Sequence, residues 1–435
     1  MGFQTGLSGL NASSRSLDVI GNNIANANTT GMKLSRAEFG DLIASSLGAG
    51  GSSGAGIGVA VADISQQFTQ GNISTTGNSM DVAVNGGGFF QLTQPDGSAA
   101  YTRDGSFKLD KDGYIKANTG ANVMGFPTDK TGKPTSASIQ KLQLPTNAPI
   151  GASPTTTVTA EFNLDARALG PVANTLAGKP DVPRSTYGTS LNVYDSQGVA
   201  APVNFYFEKT NNPNEWNMFT SLDPAPPVGP PPVGTILFDA AGKITLPVTS
   251  TSAPTVTPTP TGAFITLAPN SVTSPNPNWS AQVPPGTMPQ EITIQLDTIT
   301  QFGTAFAVSN LTQDGYTAGE LTGVTIGENG VITARYSNGQ TQSAGQITLA
   351  DFRNVQGLTP LGGNAWSATF ESGLPVQGSP GLGKFGALRS GALEESNVDL
   401  TSELVNMMTA QRAYQANAQT IKTQDQVLST LVNLR

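Results

Sequence analysis

Each end of this 435-residue chain carries an amphipathic stripe of helical period, and almost nothing between them does. The fold must therefore bring two distant apolar faces together or leave them for partners. Near the start, Phe3, Leu7, Leu10, Leu17, Ile20, Ile24 and Ala27 recur at steps of three, four or seven, one face of a helix, with Ser13 and Ser14 filling the gap. Near the end, Leu400, Leu404, Met407, Gln411, Tyr414, Ala418, Ile421, Asp425, Leu428 and Val432 alternate steps of four and three, a coiled-coil seam with two polar interruptions. Neither helix is stable alone, because helices draw most of their stability from packing an apolar face. Gly6, Gly9 and Gly21 weaken the first one further, each by roughly 0.5 to 1 kcal/mol relative to Ala. Two arrangements satisfy the stripes, a terminal hairpin within one chain and assembly with further copies, and periodicity does not choose between them. Surface composition leans towards assembly: up to Thr30 the only charges are Arg15 and Asp18, whereas a solvent-facing helix usually carries more Lys and Glu.

Between the helices the pattern is strand and turn. Residues 33–47 fit a further helical turn or two, and 48–58 is a Gly/Ser/Ala tract of linker composition. From Val59 the period becomes two. Met80, Val82 and Val84 alternate up to Asn85-Gly86-Gly87-Gly88 and are followed by Phe89 and Phe90, a hairpin signal; Asn329-Gly330 and Asn338-Gly339 mark others. Sixteen of the thirty prolines fall between Pro224 and Pro289, which rules out long helices there and reads as stiff surface loops on an inserted β-domain. The expected order is nested: helices in 1–32 and 396–435, linkers in 33–70 and 373–395, a β-rich middle domain from 71–145 and 317–372, and an inserted β-rich domain in 146–316. The fold class is thus mainly β with α-helical termini. Such nesting brings both termini to one end of a rod-shaped subunit.

Several functions are disfavoured. The chain has no Cys and no His, which removes thiolate chemistry and the commonest general base and metal ligand. A net charge of −8 without a basic run argues against nucleic acid as a partner. No segment approaches the roughly 18 consecutive apolar residues of a membrane span, and no cleavable secretory signal is visible, so export needs another route. Gly54, Gly56 and Gly58 lack the strand and helix of a phosphate loop, and Asp110-Lys111-Asp112-Gly113 lacks the later Glu of a calcium loop, Thr119 standing there instead. No acidic pair suits a glycoside hydrolase. The expectation is a protein that is not an enzyme and needs no cofactor.

Gly6-Leu7-Ser8-Gly9-Leu10-Asn11-Ala12 and the run from Ile20-Gly21-Asn22-Asn23-Ile24-Ala25-Asn26 through Thr29, Thr30 and Gly31 to Lys33 resemble the signature of the rod and hook axial proteins of the bacterial flagellum. Asp81 to Phe90, Tyr101 to Phe107, and the tail from Gly391-Ala392-Leu393-Glu394 through Asn397, Met408 and Tyr414 to Arg435 resemble the blocks that follow. The large insert, with 312–316 and 364–366, is similar to the hook members rather than the shorter rod members. The resemblance implies a structural subunit of a flexible curved tube, a universal joint passing torque from rod to filament and enclosing an export channel. It implies a homopolymer that meets rod proteins, hook-filament junction proteins, a hook cap and the flagellar export apparatus, located extracellularly at the basal body and hook. Paired terminal helices would line the tube, with Leu7, Leu10, Leu17, Ile20, Ile24, Leu400, Leu404, Met407, Tyr414, Ile421, Leu428 and Val432 as polymerising core, and Asn22, Asn23, Ala25, Asn26, Thr29 and Gly31 as the family motif. Thr401, Gln415 and Gln419 are expected to face the channel, and the Gly-rich linkers to act as hinges. A distal rod protein, rigid and straight, is the alternative within the family; a secreted β-rich adhesin is one outside it.

Overall fold

A computed structural model describes residues 2–42, 58–145, 149–172, 186–221, 232, 234–249, 264–267 and 292–433. The tract read as a linker at 48–57 and the Pro-rich runs 223–231 and 250–263 lie outside the described residues.

The two helices form where their period predicted them, α1 at Gly2–Ala25 and α2 at Leu400–Asn433. After Ala25 the chain tightens into turns, Ala27 N–H donating to Ile24 O and Thr29 N–H to Asn26 O, and Gly31 turns it away with φ +68°. Asp399 caps α2: its carboxylate accepts from the Thr401 N–H at 2.9 Å, and its carbonyl accepts from the Glu403 N–H. An acidic side chain at Glu403 in the first turn also suits the positive end of the helix.

The chain divides into two compact units, one comprising Met1–Asn147, Thr322–Arg335 and Thr341–Arg435, the other Ala148–Leu321 and Tyr336–Gln340. In the first, residues expected to form a further helical turn or two instead give strand β1 (Ser35–Leu42), paired antiparallel with β2 (Gly58–Gln66). Local propensity loses there because 58–66 supplies a complete ladder, with Phe39 opposite Val61 and Ala37 opposite Ile64. The hairpin expected around residues 82–93 does not form either. Val82–Asn85 pairs with Ala387–Ser390, while Phe89–Thr93 joins a larger antiparallel sheet, and Gly86 (φ +120°) and Gly88 (φ +111°) carry the chain between them. The stretch read as a second linker contributes strands as well: Val376–Gly378 pairs with Leu349–Asp351, and Ala392–Glu394 with Ile73–Thr75. Phe89, Tyr101, Phe352, Leu358 and Trp366 form an aromatic core on one side of this unit.

Among the described residues the second unit holds two five-stranded sheets. One is the meander from Tyr187–Tyr194 to Ile244–Thr249; the other is built around Thr157–Asp165, which pairs in parallel with Ile292–Gln295 and Thr300–Phe302 and antiparallel with Ala307–Gln313. Alternating residues of both sheets bury Trp216, Phe162, Phe207, Ile236 and Ile294 in one core. Asp195 and Asp239 each begin a tight hairpin by accepting two backbone N–H groups, with Gly198 and Gly242 taking the positive φ.

Candidate functional site: the helix pair and its polar junction

Helices α1 and α2 pack antiparallel, Gly6 lying beside Ile421, Gly9 and Ser13 beside Asn417, and Asn23 beside Glu403. Approach is close because the contact face is small. A Cβ at Gly6 would come within 3.1 Å of Ile421, and one at Gly9 within 2.9 Å of Asn417. The glycines that weaken α1 as an isolated helix are therefore what admits its partner.

The predicted seam residues divide. Ile20 is buried and Leu10, Leu17, Ile24, Met407 and Ile421 are half-buried, whereas Leu7, Leu400, Leu404, Tyr414 and Leu428 are exposed; the side chain of Val432 lies outside the described residues. What α2 turns towards α1 includes Glu403, Ala410, Ala413 and Asn417, residues the apolar period does not mark. The outward side keeps Leu404 at 52%, Val405 at 49% and Met408 at 51% exposure. A groove of about 490 Å³ runs between the helices and β1, lined by Val19, Ile20, Ala37, Glu403 and Ala410 among others. Thr401, Gln415 and Gln419 are exposed.

Where the helices meet the β-structure, two buried polar networks close the chain on itself. In the first, Asn23 donates to Glu403 Oε2 at 3.0 Å and to Ser35 O at 2.8 Å, and accepts from the Ser35 N–H; Asn406 donates to the other Glu403 oxygen. In the second, Glu394, wholly buried, takes Lys33 Nζ at 2.6 Å on one oxygen and an Arg103 guanidinium N–H at 3.1 Å on the other. Lys33 also donates to Thr69 O, Gly71 N–H donates to Glu394, and Arg103 donates to Gly86 O and lies over the Phe89 ring. Burial pushes the Lys33 ammonium and the Arg103 guanidinium below their ordinary values, and the Glu394 charge offsets part of that. Asn397 bridges the networks, accepting from Leu34 N–H and donating to Gln67 O and Thr69. Residues 33–34 and 394–395, expected within the linker segments, thus take part in a bonded junction together with Asn397.

The motif residues feed this junction unequally. Asn23 is buried within it, and Asn26 donates back to Asn22 O while Thr29 donates to Asn26 O. Gly31 donates to Glu394 O; Ala25 is exposed. Lys33, Arg103, Glu394 and Glu403 lie in or near the quoted motifs, but nothing local in the sequence pairs charges so far apart. Among the described residues no three His, Cys, Asp or Glu could hold a metal ion, and no helix is long and apolar enough to cross a membrane.

Comparison with known proteins follows this architecture. Residues 3–33 match the family model described as "Flagella basal body rod protein", 83–160 the "Flagellar hook protein FlgE/F/G D1 domain", 163–316 the "Flagellar basal body protein FlaE D2 domain", and 389–434 the "Flagellar basal body rod FlgEFG protein C-terminal". The chain is 40% identical over 441 residues to the flagellar hook protein FlgE of Escherichia coli (strain K12), covering 100% of each. It is 36% identical to that of Treponema pallidum (strain Nichols), covering 99% of this chain and 98% of the relative. A crystal structure of the Helicobacter pylori flagellar hook protein FlgE2 shares the fold at a TM-score of 0.50 and 16% identity, covering 74% of this chain and 100% of that one. With full-length identity at this level and the domain matches falling in order along the chain, this protein belongs to the flagellar hook protein family.

Proposed function

We propose that this structural subunit of the bacterial flagellar hook polymerises through the outward apolar face of α2, forming a curved tube that bends while transmitting torque from rod to filament and that leaves a channel for export. The observation that carries the reading is the set Leu400, Leu404, Val405 and Met408, all exposed on a helix whose other face is already paired with α1. Burying such side chains stabilises by roughly 1.5 to 3 kcal/mol each, so leaving them in water is explicable when further copies cover them. Polar β-surfaces outside the core supply wet contacts that exchange at little cost, which suits a joint that resists twist and accepts bending. The role is structural and not catalytic. Partners on this reading are further copies, rod proteins at one end, junction proteins at the other, a cap during growth, and the export apparatus, which passes the chain without a cleaved signal peptide.

Two substitutions separate assembly from internal pairing. Leu404→Ser removes an exposed side chain and is expected to abolish tubes in electron micrographs while the melting temperature of the monomer stays unchanged. Ile421→Ser strikes the contact with Gly6 and is expected to lower helix content by circular dichroism as well. Normal polymerisation of the Leu404→Ser chain would refute the reading. Uniformly straight, rigid tubes from the unaltered protein would favour the distal rod alternative, which the full-length match to hook proteins does not support.

A further inference from the structure

The turn at 369–373 holds Phe370 with its side chain wholly outside the protein, at 101% relative exposure, and Leu374 follows at 90%. An exposed Phe on a loose loop requires no account. This one stands on a pedestal. Ser372 is fully buried, its hydroxyl donating to Thr369 O and Gly373 O while accepting from the Thr369 N–H. Thr369 Oγ1 donates to Gly357 O and accepts from Ser372 N–H; Asn354 donates to Glu371 O from its side chain and to Ser372 O from its backbone. Gly357 lies so close that a Cβ there would fall 2.4 Å from Ser372 N, and Leu358 and Trp366 of the aromatic core continue from this base. The turn's polar groups are thus tied down, and what it presents is an aromatic ring. A pre-ordered aromatic loses little freedom on docking and brings a large apolar surface to a pocket.

The same unit offers a receptacle. A groove of about 430 Å³ is lined by Phe126, Pro134, Ala137 and Gln377. Beside it lies the loop carrying Lys130 and Lys133, both exposed; its one acid, Asp129, already accepts from Thr131 and Lys133 N–H groups, and those bonds hold its carboxyl below the usual range, the Thr131 hydroxyl contributing most. With two lysines against one ionised carboxylate the loop carries a net positive charge, and Glu371, exposed next to Phe370, presents negative. We propose that the Phe370 turn of one copy seats in this groove of a second copy, with Glu371 facing Lys130 and Lys133. A knob and a socket built from different residues make a heterologous contact, the kind that propagates into a filament instead of closing a dimer. The inference rests on the polymer reading above and assigns it a second contact, away from the helices.

The chain has no Cys, which permits a direct test. Tubes are grown from an equal mixture of Leu374→Cys and Ala137→Cys chains, which keep the Phe370 ring, and oxidised. Covalent dimers are expected from the mixture and not from either variant alone. Phe370→Ala is expected to raise the critical concentration for tube growth about tenfold or more, with the monomer's melting temperature unchanged because the side chain touches nothing. Tubes that form without covalent dimers, a Phe370→Ala chain that polymerises like the unaltered one, or capture of a protein other than a second copy would each overturn the contact while leaving the polymer reading intact. Failure of the unaltered protein to form tubes would overturn both.

Discussion

Replacing Glu394 by Gln tests whether the polar junction is held by charge. In the native chain one buried carboxylate balances two buried cations, Lys33 at 2.6 Å and Arg103 at 3.1 Å, so the cluster carries a net charge of one. Glu394→Gln keeps the shape and leaves both cations uncompensated. Removing one partner of a buried pair costs about 3 to 5 kcal/mol; the carbonyls of Thr69 and Gly86 and the face of Phe89 remain, which puts the expected loss near the lower bound, about 3 kcal/mol. Lys33→Met acts differently. It leaves Glu394 and Arg103 as a balanced pair, with the Gly71 N–H still on Glu394 and the Asn397 amide still on the Thr69 carbonyl, a loss of about 1 to 2 kcal/mol. The ranking follows from charge count alone: the carboxylate matters more than the lysine, and the double variant should lose less than the two single losses added. Urea unfolding of the monomer reads this as shifts in midpoint at constant slope. A Lys33→Met chain as unstable as Glu394→Gln, or strict additivity, would refute the reasoning. Alkali adds a second check. Burial lowers the Lys33 pKa, so between its folded value and the ordinary lysine value the unfolded chain binds more protons, and the stability that Lys33 contributes rises with pH across that window. The advantage of the native chain over Lys33→Met should therefore grow towards the lysine range.

Gly31→Ala should destabilise by more than about 2 kcal/mol, because φ is +68° and the new Cβ would lie 2.6 Å from Asp104 N and 2.8 Å from Arg103 C, both backbone; Gly21→Ala, with nothing within 4 Å, should instead gain up to about 1 kcal/mol. Thermal melts of the two variants moving in the same direction would contradict this. In the second unit, burial raises the Asp314 carboxyl but is outweighed by the Thr156 hydroxyl and the Thr156 and Thr157 N–H groups, which hold it below the usual range. A depressed carboxylate contributes stability that is present above the unfolded value of about 3.9 and is lost as pH falls below it. The difference in urea midpoint between the native and Asp314→Asn chains should therefore shrink on going from about pH 7 to about pH 3, and a difference that stays constant would rule out the charge as its source.

Much of the fold was legible where partners are local. Asn329-Gly330 and Asn338-Gly339 do turn between strands, Leu321–Ile326 to Val331–Tyr336 and on to Thr341–Ile347, because turn chemistry and the paired strands lie within a few residues. Asn85-Gly86-Gly87-Gly88 has the same chemistry and misleads, since the partner of Val82–Asn85 comes from Ala387–Ser390 at the far end of the chain. The strand at Ser35–Leu42 was unreadable for a similar reason, its partner lying beyond the Gly-rich tract. Period revealed both helices but only part of the face they share. Hydrophobicity marks Leu400 and Leu404, which are exposed, and passes over Glu403 and Asn417, which reach α1 through hydrogen bonds.

That mismatch bears on the two arrangements that periodicity left open. A terminal hairpin and assembly compete only if both draw on the same side chains. Here they do not. The hairpin is made largely from glycines, small residues and amides, with Ile20, Met407 and Ile421 as its apolar share, while Leu400, Leu404, Val405, Met408 and Leu428 stay in solvent. The helix of 34 residues also outruns its partner of 24 by ten residues, and with Gly6 beside Ile421 the antiparallel α1 ends before Val427 and Leu428. An interface of glycine and amide contacts fixes register and approach distance but buries little apolar area, and apolar area supplies most of the cohesion between helices. The pair should accordingly open at lower free energy than the β-core in a single copy, as a loosely packed element does, and tighten when other copies cover the leucines. Deuterium exchange measured on monomer and on tube separates the two states: weak protection along α2 in the first and strong protection in the second is the expected pattern, and equal, strong protection in both would mean that the leucines contribute nothing to assembly.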